Sequence, residues 1–255
     1  MTTSRPNGSL YTKIENRIAT IEFGHPASNS FVAELLQRLT DEIHSISGNN
    51  EVTVVVLKSE GERAFCAGAS FDELVAISNL EEGKAFFSGF ANVINAMRTC
   101  KKPIIGRIQG KTVGGGVGLA SACDYVYATE AASIKLSEVS IGIAPLVIAP
   151  AVERKIGKAG LAELSLHPTE WKNAYWAKEK GLFSKVFDSI SAMDKELEFH
   201  LLKLASYNAE ALALLKTALW EGTEHWSELL VERAEQSGQL ALSKATKAAL
   251  DKFKK

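Results

Sequence analysis

Glu138 is the residue of this 255-residue sequence whose surroundings most suggest chemistry. It opens a run that carries no further charge until Glu153. A carboxyl group in such surroundings resists ionisation, so its pKa rises toward neutrality and suits a general acid/base. Two other segments offer main-chain groups instead. In Arg63-Ala64-Phe65-Cys66-Ala67-Gly68-Ala69-Ser70, small side chains let a ligand approach the backbone closely. The N–H of Ala69 falls near a helix start, where donors are free and the dipole favours negative charge. In Gln109-Gly110-Lys111-Thr112-Val113-Gly114-Gly115-Gly116-Val117-Gly118, consecutive glycines expose N–H groups in a sharp turn. Their spacing is not that of a dinucleotide fingerprint, and no Gly-Lys-Ser/Thr follows to make a phosphate loop. Together these segments provide sites for a developing anion and one group to move a proton.

The elements around them repeat. Leu10–Phe23 reads as a hairpin turning at Glu15-Asn16-Arg17. Asn29 or Ser30 is positioned to cap a helix through Val32, Leu35, Leu36, Leu39, Ile43 and Ile46, which recur at helical steps. Val52–Leu57 is an apolar run fit for a buried strand. After a loop, one helical stretch is expected from Ser70 to about Arg98, followed by strands at Ile104–Ile108, Asp124–Ala128 and Ser133–Leu136. A short helix at Gly116–Ala122 separates the first two of those strands. Strand, loop, helix, strand marks an α/β protein with crossovers. Beyond the short strand Phe183–Phe187, helices are expected at 188–207, 209–220 and 225–254. The predicted division is therefore a core over 1–187 and a helical region over 188–255.

Composition narrows the function classes. Apolar residues make up 46% and charged residues 23%, with a formal net charge of −1, so there is no electrostatic case for nucleic acid. Met1–Leu10 is polar and lacks a signal-peptide core, and the uncharged Val139–Val152 is too short to span a bilayer. A cytoplasmic protein without membrane contact is expected. Cys66, Cys100 and Cys123 show no metal spacing and read as reduced, buried thiols. The five histidines also lack metal spacing, so no metal is expected.

Taken in order, these segments resemble the crotonase, or enoyl-CoA hydratase/isomerase, superfamily over nearly the whole chain. The match runs through His25–Ser30, Phe65–Leu74, the glycine turn, Cys123-Asp124, Ser137-Glu138 with Gly142, Gly157 with Ala159, and Ala177 to Leu182. The resemblance implies an α/β spiral of ββα turns with C-terminal helices that build a homotrimer or a dimer of trimers. It implies an acyl-CoA thioester as substrate, with CoA part of that substrate and no separate cofactor. Ala69 and Gly115 then correspond to the oxyanion-hole donors, Glu138 to the catalytic carboxylate, and Ala27 and Ala67 to residues along the CoA.

The departures are informative. Family members with two catalytic glutamates carry the first at the position of Gly118. The remaining pattern is similar to bacterial methylglutaconyl-CoA hydratases, so addition of water to an enoyl-CoA, branched or carboxylated, is favoured. A Δ3,Δ2-enoyl-CoA isomerase using Glu138 alone is the alternative, and a non-catalytic acyl-CoA binder is a third. Gly24 and Pro26 stand where basic residues often meet the CoA phosphates. Ser70 replaces an Asp, Leu166–Thr169 replaces a Thr-Gly-Glu-like turn, and Ala144-Pro145-Leu146 replaces Pro-Gly-Gly/Ala. Lys111 and Lys135 are candidates to meet a substrate carboxylate. Trp220 and Trp226 fit either a core or a subunit interface.

Overall fold

The computed structural model describes residues 5–252. The hairpin pairs β1 (Ser9–Glu15) with β2 (Ile18–Gly24), antiparallel from Ser9↔Gly24 to Glu15↔Ile18. Asn16 and Arg17 take φ of 51° and 65°, the backbone of a two-residue turn that follows the strand twist. The chain continues through α1 (Ala33–Gly48), β3 (Val54–Ser59), β4 (Ala64–Cys66), α2 (Phe71–Ala76), α3 (Leu80–Thr99), β5 (Ile104–Ile108), β6 (Lys111–Val113), α4 (Gly115–Ala122), β7 (Tyr125–Thr129) and β8 (Ser133–Lys135). A 3-10 turn at Glu138–Ile141 follows. Then come α5 (Ala149–Leu166), β9 (Lys172–Asn173), α6 (Ala174–Glu179), β10 (Lys185–Phe187), α7 (Ile190–Ser206), α8 (Ala209–Leu219), α9 (Trp226–Ala241) and α10 (Lys244–Asp251).

From β3 to β8, successive strands alternate between two sheets. One sheet has the order β1-β2-β3-β5-β7-β10, and the other β4-β6-β8-β9. Each spiral turn thus lays one strand on the large sheet and a short one on the small sheet before a helix or turn returns the chain. The large sheet is parallel beyond β1 and buried on both faces, which is why β3 opens on the apolar run Val54–Leu57 and β5 is buried throughout, its Arg107 bonded to Asp194 at 2.6 Å. Val55, Leu57, Ile104 and Val126 face the main core, while Val54, Val56, Ile105 and Tyr127 pack under Met193, Leu197 and Leu201 of α7.

Several expectations need correction. Neither Asn29 nor Ser30 caps α1; the cap residue is Val32, without a side-chain bond. Asn29 instead has φ 58°, and its amide donates to the carbonyls of Glu60 (2.8 Å) and Ala64 (2.9 Å), tying the loop to the next strand. The single helix expected over 70–98 is two, because Asn79 starts α3 afresh. Its Oδ1 accepts from Glu82 N–H at 3.0 Å while Glu82 accepts from Ser78 N–H at 2.8 Å, a reciprocal cap. Asn79→Ala is therefore expected to cost about 1 kcal/mol, read as a lower urea midpoint at unchanged slope. The helix expected over 225–254 likewise breaks, with Ser243 capping α10. The strands β4, β6 and β9 were not anticipated, since two or three residues show no alternation.

Trp220 and Trp226 are core residues, edge to face with centroids 5.8 Å apart. Trp220 also donates its indole N–H to Asp124 (2.7 Å), which accepts from Ile104 N–H (2.7 Å) and the buried Lys216 ammonium (2.9 Å). Lys216 donates in turn to the Met97 carbonyl at 2.8 Å. This network anchors α8 to the core, and it satisfies a buried ion pair with directed hydrogen bonds.

Candidate active site

The small sheet sets the site. β4, β6 and β8 are neighbours in it, with Cys66↔Thr112 and Val113↔Lys135 in register. Ala69 follows the end of β4, Gly115 the end of β6 and Glu138 the end of β8. Three successive spiral turns therefore deliver one group each to the same edge. Together with Ala67 they line one cavity of about 190 Å³.

Ala69 sits just before Ser70, whose hydroxyl caps α2. The bonds Phe31 N–H to Gly68 O (2.8 Å) and Ser70 N–H to Phe31 O (2.7 Å) hold this strand-like segment, leaving the Ala69 N–H turned the other way. Gly114 (φ 53°, ψ −121°) reverses the chain, and its N–H donates to Lys135 O at 3.0 Å. Among the described residues, neither Ala69 N–H nor Gly115 N–H has a protein acceptor. The two loops touch: a methyl on Gly68 would lie 3.7 Å from the Gly115 nitrogen. The glycines are required by their neighbours. A methyl on Gly114 would meet Glu138 Oε1 at 2.8 Å, one on Gly116 would meet Cys66 Cβ at 2.7 Å, and one on Gly115 would overlap the Phe90 ring.

Glu138 is held by its turn. Its carbonyl accepts from Ile143 N–H at 3.0 Å, and Gly142 completes the turn in the left-handed region at φ 83°. Thr246 of α10 latches this turn by donating to Gly142 O at 2.9 Å. The carboxyl Oε2 is buried without a hydrogen-bond partner among the described residues. Burial pushes the Glu138 pKa up to about 7, and a bond from its own N–H offsets part of that rise. Cys66, also buried beside the glycine turn, is pushed up to about 12 and stays a thiol at neutral pH.

Gly118 shows why a second carboxylate is missing. A Cβ there would lie 2.7 Å from Ile148 Cβ, so Ile148 fills the space that a side chain at 118 needs. Gly118→Ala is expected to destabilise the fold by about 1–3 kcal/mol through overpacking against Ile148 Cγ2 and Cβ, measured by denaturant melt.

The other predicted residues lie outside the cavity lining. Ala27 is exposed, in a loop whose Ser28 carbonyl accepts from Ala67 N–H at 3.1 Å. Lys111 and Lys135 sit over the Trp171 ring at 5.3 and 4.5 Å from its centroid and do not reach into the cavity. Phe90, Ile148 and Ser237 line the cavity and were not singled out from the sequence. Each lies on a helix or helix end where its type reads as ordinary packing.

Comparisons with known proteins agree with this geometry. The family model for enoyl-CoA hydratase/isomerase matches residues 13–253. The Bacillus subtilis protein YngF, named for that family, is 33% identical over 193 residues, covering 74% of this chain and 73% of its own. The short-chain-enoyl-CoA hydratase of Clostridium acetobutylicum is 27% identical, covering 82% and 80%. The crystal structure of an enoyl-CoA hydratase from Bacillus halodurans superposes with a TM-score of 0.88 at 20% identity, over 95% of this chain and 99% of that one. With the alternating-sheet spiral and a model matched along nearly its whole length, the chain belongs to the enoyl-CoA hydratase/isomerase family and has the crotonase fold.

Proposed function

We propose that the protein adds water across the 2,3 double bond of an enoyl-CoA, or removes it in reverse. The observation that carries this reading is a single half-buried carboxyl group, Glu138, its Oε2 buried and unpartnered, in one cavity with two unpaired N–H groups. The thioester oxygen accepts from Ala69 and Gly115. As a water oxygen bonds to C3, Glu138 takes its proton, and electrons shift through C2 onto the thioester oxygen. Collapse of that enolate takes the proton from Glu138 to C2, which restores the carboxylate. Donors already aimed at the oxygen stabilise the enolate without reorganisation. Ala27 and Ala67 border the path of the CoA.

The cavity lining favours an uncharged acyl group. It comprises aromatic and aliphatic walls such as Phe86, Phe87, Ile141 and Ile143, with Ser137, Glu138 and Ser237 as its polar side chains. A methylglutaconyl-type carboxylate gains no cation there, since Lys111 and Lys135 stand on Trp171 outside. Human methylglutaconyl-CoA hydratase is 33% identical, but over 46% of this chain. The second reading, double-bond isomerisation by Glu138 alone, is favoured by Ile148 filling the place of a second carboxylate. Exposed apolar residues of α7 and α8, Phe199, Leu202, Leu214 and Leu215, support assembly as a homotrimer or dimer of trimers.

Product analysis tests the reading. Loss of the conjugated-enoyl absorbance from a 2-enoyl-CoA marks hydration, and its appearance from a 3-enoyl-CoA marks isomerisation. Binding of acyl-CoA with neither change leaves a non-catalytic binder.

A further inference from the structure

We propose that Ser237 is a second recognition point of the acyl cavity, and that the preferred acyl chain carries a neutral oxygen, a hydroxyl or keto group, at its distal end. The proposal rests on the acyl-CoA reading above. Ser237 is 1% exposed, lines the cavity from α9, and has no hydrogen-bond partner for its Oγ among the described residues. A helical serine in apolar surroundings ordinarily bonds the carbonyl a turn back. This one does not, and a buried hydroxyl without a partner is costly unless something else meets it.

Packing places it at the end of the cavity away from the thioester. α3 and α9 run antiparallel: Arg98 donates to Ser227 Oγ at 2.9 Å, and Lys84 pairs with Glu235 at 3.1 Å. Gly83 and Gly238 bring the two backbones together, so that a methyl on Gly83 would meet Gly238 Cα at 2.9 Å. That close approach seats Ser237 at the level of Gly83. Phe90, on the same helix α3, abuts Gly115 at the thioester end. Gly83 and Phe90 are separated by about 10 Å of helical rise, the reach of a medium-length acyl chain. The lining holds no Lys, Arg or His, so a carboxylate at this point stays uncompensated. A neutral oxygen suits a serine, which donates to a keto group and accepts from a hydroxyl.

Calorimetry with the full chain tests this without requiring turnover. The probes are octanoyl-CoA and ω-hydroxyoctanoyl-CoA, against the natural protein and Ser237→Ala. The natural protein is expected to bind the hydroxylated thioester about fivefold more tightly than the plain one. In Ser237→Ala that preference disappears and the plain thioester binds more tightly than before. Equal affinities in the natural protein, or a preference that survives in Ser237→Ala, overturn the proposal while leaving the hydration reading intact. Binding of neither thioester overturns both. The predicted pattern of binding with no turnover on any enoyl-CoA supports Ser237 and overturns hydration.

Discussion

Glu138→Gln is expected to lower kcat on an enoyl-CoA by about 10²–10⁴-fold, the usual contribution of a positioned general acid/base. Glutamine keeps the shape and loses the proton transfer, so the affinity for acyl-CoA should change little. The natural enzyme needs the ionised carboxyl to draw a proton from water. With its pKa at about 7, kcat/KM should therefore rise with pH through that value and level off above it. Glu138→Gln removes that limb from whatever activity remains. Unchanged turnover in this variant would remove Glu138 from both the hydratase and the isomerase reading.

The same shift has a consequence for stability. The carboxyl has an ordinary value of 4.5 and a folded value of about 7. Between these two values the native state binds more protons than the unfolded chain. Stability therefore falls as pH rises through this window, by about 3 kcal/mol in total, and is lowest with respect to this group above it. Glu138→Gln should be more stable than the natural protein at pH 8 and should show no such decline. Activity and stability thus respond oppositely to one carboxyl group, as expected where a charge is kept buried for catalysis. Urea melts at several pH values measure it directly.

Sequence patterns reveal features that depend on local spacing. The helical recurrence from Val32 to Ile46 marks α1, and the apolar run Val54–Leu57 and the β-branched pair Ile104-Ile105 mark strands buried on both faces. The glycine turn and the lone carboxylate are visible for the same reason, since each is an anomaly within a few residues. The contacts that give them their shape are not local. Phe90, Cys66 and Ile148 decide which of the glycines admits no side chain, and they come from other turns of the spiral. The short strands β4 and β6, whose pairing brings Ala69 beside Gly115, are too brief to show alternation. The reciprocal cap Asn79-Leu80-Glu81-Glu82 was readable as a helix start, yet the apolar residues on either side mask the break. Ser237 gives no sequence signal at all, because its meaning lies in the absence of a partner.

Gly115→Ala is expected to reduce turnover by at least about a hundredfold, the typical cost of losing one oxyanion-hole donor. The substitution leaves the N–H in the covalent structure, so the effect must come through position. The added methyl overlaps the Cε1 and Cζ atoms of Phe90, a ring that is 5% exposed and packed edge-on against Phe31 with centroids 6.0 Å apart. A ring so enclosed has little room to yield, so the turn must open and carry the N–H off the thioester oxygen. Displacements of about 1 Å in such a donor suffice for losses of this size. The companion variant Phe90→Leu separates this account from general damage. Alone it leaves a small void and lowers stability, by less than the about 3–5 kcal/mol that truncation of a buried Phe to Ala costs. Combined with Gly115→Ala it provides space for the methyl, so the double variant should turn over faster than Gly115→Ala alone despite carrying two lesions. That inversion is specific to a donor held in place by the ring. If the two substitutions lower kcat independently, the Gly115 N–H is not positioned by Phe90. If Gly115→Ala turns over normally with its fold intact by circular dichroism, the turn admits the methyl without moving the Gly115 N–H, and Phe90 does not fix the donor.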